Sequence, residues 1–134
     1  MAQAGDLYTV TLKPSHIAWG TYRNTGTRGP VEGEAYLPID RRHAEAFNIV
    51  NGNATNNRPI LGRNLFNFRT ADGYLSGQLR AQGSSEAGDI YAKQFSVNGD
   101  LKRLGEWYEH IGARVGTQIS IEWISPYDII LAVL

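Results

Sequence analysis

Two stretches of the chain gather side chains that can read nucleic acid. Residues 18–34, AWGTYRNTGTRGPVEGE, hold Arg23, Asn24 and Arg28, with Tyr22 and Thr25 beside them. Arginine forks onto guanine with two hydrogen bonds, and asparagine or glutamine pairs with adenine in the same way. Tyrosine and threonine hydroxyls suit phosphate. The second stretch, QGSSEAG at residues 82–88, offers Gln82, Ser84 and Ser85, with Arg80 and Lys93 on the flanking segments. Its small residues suit close approach to a groove. An ordinary polar surface loop has the same composition, so residue types alone leave both readings open.

Catalytic constellations are hard to assemble from this sequence. His16, His43 and His110 are far apart and form no i,i+4 pair. No GxxxxGK[ST] phosphate loop occurs, and Ser84-Ser85 lack the strand-to-helix elbow of a hydrolase nucleophile. Glu86, Asp89 and Lys93 have the residue types of a metal-dependent nuclease. On one strand, however, Asp89 and Lys93 would stand about 13 Å apart, too far to share one metal-bound water. The expectation is no catalytic residue, no metal and no cofactor in this chain.

The bulk properties fit that expectation. A chain of 134 residues is most simply one domain, residues 1–134, and its 42% hydrophobic content suffices for a core. There is no cysteine, which excludes disulfides and thiolate metal sites. The start, MAQAGDLYTV, has no basic segment followed by an apolar run, and no apolar stretch reaches spanning length. A cytoplasmic protein without membrane contact is expected. Net charge is zero but uneven: residues 13–80 carry nine basic and five acidic groups, residues 81–134 four and seven. Ten of the thirteen basic residues are arginine, the cation suited to forked bonding with phosphate and guanine.

The elements that must position these residues are mostly strands. Thr9–Leu12 begins the first, and Pro14 interrupts it because proline cannot donate to a ladder. Tyr36–Ile39 is the second. LFNFRT (65–70) and YLSGQLRA (74–81) flank Ala71-Asp72-Gly73, and Asp-Gly between alternating runs signals a hairpin. GDIYAKQF (88–95), QISIEW (118–123) and the terminal IILAVL complete about seven strands, mostly antiparallel. Two short helices are expected. One runs over Arg41–Asn48 after Asp40; the other follows Asp100, buries Leu101, Leu104, Tyr108 and Ile111, and ends at Gly112. The chain stops at Leu134 without a polar tail, so a domain cut from a longer protein is expected.

Arg41 and Arg42 open the first helix, at the end that favours negative charge. Asp40 offsets them. The arginines are either long-range attraction for a polyanion or plain solvated helix residues.

The string TLKPSHI followed by YLPIDRRHAEAF resembles the start of the plant B-three DNA-binding domain, through Pro14, Ser15, Leu37, Ile39, Arg41, His43, Ala44, Glu45 and Phe47. The later hairpin, the strand GDIYAKQF, the helix ending at Gly112 and the run ARVGTQISIEW follow the same order. Motif-level similarity covers residues 12–47, and Pro38 precedes Ile39 where the family places its proline after the isoleucine. The long first loop resembles the DNA-recognition or effector domains of bacterial restriction endonucleases more than the plant domains.

The resemblance implies a seven-stranded open pseudobarrel that grips the major groove of double-stranded DNA with two arms, residues 18–34 and 82–89. It implies base contacts from Arg23, Asn24, Arg28, Gln82 and Ser84, and phosphate contacts from Tyr22, Thr25, Arg63, Asn64, Arg80 and Lys93. It also implies a parent protein with a separate, fused nuclease domain. The competing expectation is a carbohydrate- or small-ligand-binding β module that stacks its ligand on Trp19, Tyr22, Tyr74 and Tyr91.

Overall fold

The computed structural model describes residues 2–17, 35–51, 58–83 and 90–134. Among these, seven strands form one sheet. They are β1 (Leu7–Thr11), β2 (Leu37–Pro38), β3 (Leu65–Thr70), β4 (Ser76–Gln82), β5 (Gln94–Val97), β6 (Gln118–Ser125) and β7 (Asp128–Val133). Two short helices, α1 (Arg41–Phe47) and α2 (Arg103–His110), and a helical turn at Pro14–Ile17 join them. No described helix is long and apolar enough to cross a membrane.

Alternation along the strands builds the interior. In β6, Ile119, Ile121 and Trp123 are buried while Gln118, Glu122 and Ile124 are exposed. Phe66 and Phe68 of β3, Leu79 and Ala81 of β4, and Ile129 and Leu131 of β7 face the same core. Each large apolar side chain so buried contributes about 1.5–3 kcal/mol. The sheet order is β1-β6-β7-β3-β4-β5-β2. Every pairing is antiparallel except β3 with β7, which run parallel from Asn67↔Asp128 to Thr70↔Leu131.

The two edge strands nearly close the sheet into a barrel. The Tyr8 hydroxyl on β1 donates to the Pro38 carbonyl on β2 at 3.2 Å. Helix α1 covers this seam: His43 stacks on Tyr8 at 4.8 Å, and Phe47 packs on Trp123 at 5.2 Å. Burial raises the Tyr8 pKa well above that of an ordinary phenol, and the Asp40 carboxylate adds to the rise.

Helix α1 is an excursion within one ladder. Leu37 and Pro38 pair with Phe95 and Gln94, and the Ile39 N–H donates to the Lys93 carbonyl. Residues 40–48 then leave the ladder, which resumes where Ala92 donates to the Ile49 carbonyl and Val50 bridges Tyr91. Asn48, in the left-handed conformation, ends the helix and turns the chain back.

The Asp72-Gly73 signal delivers the expected hairpin. Gly73 takes a φ of +75°, and its N–H donates to the Thr70 carbonyl. Asp72 Oδ1 accepts from the Thr70 hydroxyl and the Tyr74 N–H, while Asp72 Oδ2 accepts from Trp107 Nε1–H at 3.0 Å. These bonds fasten the hairpin tip to α2 and hold the Asp72 carboxyl down at about 2. Tyr74 stacks on His110 at 3.9 Å beside them. Gly112, at φ +65°, ends α2 as expected, and Ala113 donates to the Tyr108 carbonyl.

Two elements differ from the sequence reading. The strand expected over 88–95 is β5, Gln94–Val97, which pairs with β4 from Leu79↔Val97 to Gln82↔Gln94 and buries Phe95, Ser96 and Val97. Helix α2 begins at Arg103, since Asp100 spends its carboxylate on the Lys102 N–H in the turn that leads in.

Candidate nucleic-acid interface

The two polar loops are rooted by different devices. At the first, the Tyr36 N–H donates to the His16 carbonyl at 3.3 Å, and the two rings meet edge to face at 5.3 Å. The Tyr36 carbonyl accepts from the buried Tyr108 hydroxyl at 2.9 Å, and Ala35 donates to Leu101. His16 Nδ1 accepts the Lys13 N–H at 3.0 Å, a bond that only the unprotonated ring makes. Partial burial and the Lys13 charge lower the His16 pKa in the same sense.

At the second loop, Asn51 holds both ends. Its backbone N–H donates to the Ile90 carbonyl at 2.8 Å, and its side-chain Oδ1 accepts the Gly83 N–H at 3.2 Å. Asn51 is buried, and a Cβ at Gly83 would stand 3.1 Å from its amide nitrogen. Val50, next to it, donates to the Arg63 carbonyl, and Lys93 donates to the Gln82 carbonyl. One neck therefore gathers Arg63, Gln82 and Lys93 near Gly83 and Ile90, the described ends of the second loop. Arg63 and Lys93 are exposed and Gln82 is half-buried. Arg80 lies two residues before Gln82, on the same face of β4.

Asn64 has a different task. It is fully buried; its Oδ1 accepts the Ile60 N–H, and its amide nitrogen donates to the Arg58 carbonyl. Those bonds shape the turn that presents Arg63, and they direct the Asn64 side chain inward rather than toward a phosphate. Arg23, Asn24, Arg28, Ser84, Tyr22 and Thr25, together with Trp19, Glu86 and Asp89 of the competing readings, lie outside the described residues. Among the described residues, no three of His, Asp and Glu converge as a metal site. Tyr74 and Tyr91 sit beyond opposite ends of the β4–β5 pairing.

Sequence reasoning passed over Asn51 and Tyr36 as anchors of the two loops. The available signal was position: Asn51 follows the apolar pair Ile49-Val50, where an inward-turned amide suits the exit from a buried segment. The chain matches no model of a known protein family, no curated protein and no solved structure.

Proposed function

We propose that the chain is a module for sequence-specific recognition of double-stranded DNA. In this reading it is a B-three-like pseudobarrel whose loops 18–34 and 82–89 enter the major groove, as in the recognition domain of a restriction endonuclease. The observation that carries the reading is the neck of the second loop, where Arg63 and Lys93 are held beside Gln82 by backbone bonds to Val50 and Gln82 itself. Cations fixed at the base of a polar loop are what backbone contacts need, because phosphate contacts set the register in which base contacts read.

Both loops are rooted on one ladder. The first loop returns at Ala35 and the second leaves at Gly83, both on the β2–β5–β4 ladder. Four residue positions along the strands and two strand spacings across them separate the roots by about 16 Å. Because β2 and β4 run parallel, the first loop meets this ladder at one end and the second leaves it at the other.

The test is binding to a random-sequence duplex pool across a salt series. Affinity should fall linearly on logarithmic axes, with a slope of about −0.9 per phosphate neutralised. Arg63→Gln and Lys93→Gln should each flatten that slope by about one unit and weaken all sequences alike. Binding indifferent to salt, or no binding, would refute the reading.

A further inference from the structure

A cavity of about 250 Å³ opens where α1 leaves the ladder, lined by Ile39, Arg41, Tyr91, Ala92 and Lys93. All five lie outside the loops 18–34 and 84–89. We propose that this cavity is a phosphate pocket that takes a sugar-linked phosphoryl group.

The excursion of α1 creates the pocket. Ile39 and Ile49 are brought together at Lys93 and Ala92 by the bonds from Ile39 to Lys93 and from Ala92 to Ile49. The residues between them arch away from the strand, and Arg41, near the start of the arch, comes to lie over Tyr91. Its guanidinium carbon is 5.9 Å from the centre of the Tyr91 ring, and its Nε donates to Glu45 Oε1 at 2.9 Å. Ring and carboxylate together orient a planar cation that on an open helix would sample many rotamers, so less side-chain entropy remains to be lost on binding. Lys93 supplies a second positive charge on the same wall.

The local charge favours an anion. Among the described residues, Arg41 and Lys93 line the cavity, Glu45 pairs with Arg41, and the Asp40 carboxylate lies 3.5 Å from His43 Nδ1. Among the described residues, the rest of the wall is apolar, from Ile39, Ala92 and the Tyr91 ring. Two cations beside an apolar wall match a phosphoryl group carried on a sugar. The volume lies just below the range of drug-sized ligand pockets and suits a group of that size. The pairing also gives Arg41 a use at an otherwise unfavourable helix start.

Two sources carry this chemistry: the backbone of a duplex and a free nucleotide. The first rests on the DNA-binding reading, because Tyr91 and Lys93 continue directly from the second loop; the second does not. The experiment is a titration of the backbone amides of the labelled chain with deoxyadenosine 5′-monophosphate and, separately, with a short duplex. Sodium chloride at matched ionic strength is the control. Saturable shifts at Ile39, Tyr91 and Lys93 are expected with either phosphate compound and not with chloride. Arg41→Gln and Lys93→Gln should each weaken the mononucleotide response about five- to tenfold, with the remaining spectrum unchanged. Unmoved amides with both compounds, or equal shifts with chloride, overturn the proposal. A duplex that binds while these amides stay still overturns the pocket and leaves the DNA-binding reading standing. A mononucleotide response without duplex binding does the reverse.

Discussion

The side-chain carbonyl of Asn51 accepts the backbone N–H of Gly83 at 3.2 Å, while the Asn51 N–H donates to Ile90 on the far side of the same loop. One buried residue thus fixes both ends of the segment that the proposed function places in a DNA groove. Asn51→Ala should leave the Gly83 N–H without this partner at a cost of about 1–3 kcal/mol, read as a lower midpoint in urea unfolding. Duplex affinity should fall beyond what the stability loss explains, since the loop ends lose their spacing. A variant of normal affinity would show that the clasp serves the fold alone.

Gly83 offers a complementary change. A Cβ there meets Asn51 Nδ2 at 3.1 Å, tighter than ordinary van der Waals contact. Gly83→Ala should displace the Asn51 amide, and amide hydrogen exchange should quicken at Asn51 and Gly83 while the core strands keep their protection.

Asp72 ties the β3–β4 hairpin to α2 through Trp107, and its carboxyl is held at about 2 against an ordinary 3.8. A lowered carboxyl favours the folded state above the unfolded value and loses that contribution as pH falls from about 4 through about 2. The thermal midpoint should therefore drop across that window. Asp72→Asn should be less stable at neutral pH, with the difference from the parent chain closing at the acid end. A constant difference throughout would contradict the assignment.

His16 gives a second pH effect, at the neck of the first loop. Its Nδ1 accepts the Lys13 N–H, and its pKa lies below the usual imidazole value of 6.5. The unfolded chain binds the proton more readily, so the ring contributes stability above pH 6.5 that is lost as pH falls through the lowered value. Proton titration followed at the His16 ring and the Tyr36 amide should give one shared midpoint below 6.5. Separate midpoints would mean that the ring does not control the neck.

The seam of the barrel rests on Tyr8, whose hydroxyl donates to Pro38. Tyr8→Phe should cost about 0.5–1.5 kcal/mol in denaturant unfolding. The raised phenol favours the folded state below its ordinary value of 10.0 and loses that contribution as pH rises through the raised one. Tyr8→Phe should accordingly remove part of the alkaline destabilisation.

Much of the fold was legible from local signals. Asp72-Gly73 marked the hairpin, the alternation of Ile119, Ile121 and Trp123 marked β6, and Gly112 marked the end of α2. What was hidden depends on contacts distant in sequence. Ser96 looks like a solvent residue in sequence yet is buried in β5, and the parallel pairing of β3 with β7 has no local signature. The site divides the same way. Arg63, Gln82 and Lys93 were legible as polar groups near loops, but their shared neck depends on Val50 and Asn51, twelve or more residues from each of them. Arg41 was visible as an oddity, and its place over Tyr91 depends on how the ladder resumes at Ile49.

The most direct measurement is selection of bound duplexes from a random pool by the 134-residue chain, followed by titration of the enriched duplex and a scrambled control. A single motif should be enriched and bound about a thousandfold or more tighter than the scrambled duplex at physiological salt. Arg23→Ala should relax the preference at one base pair, whereas Lys93→Gln should weaken both duplexes equally. A pool that emerges unenriched, with both duplexes bound alike or not at all, would contradict the account.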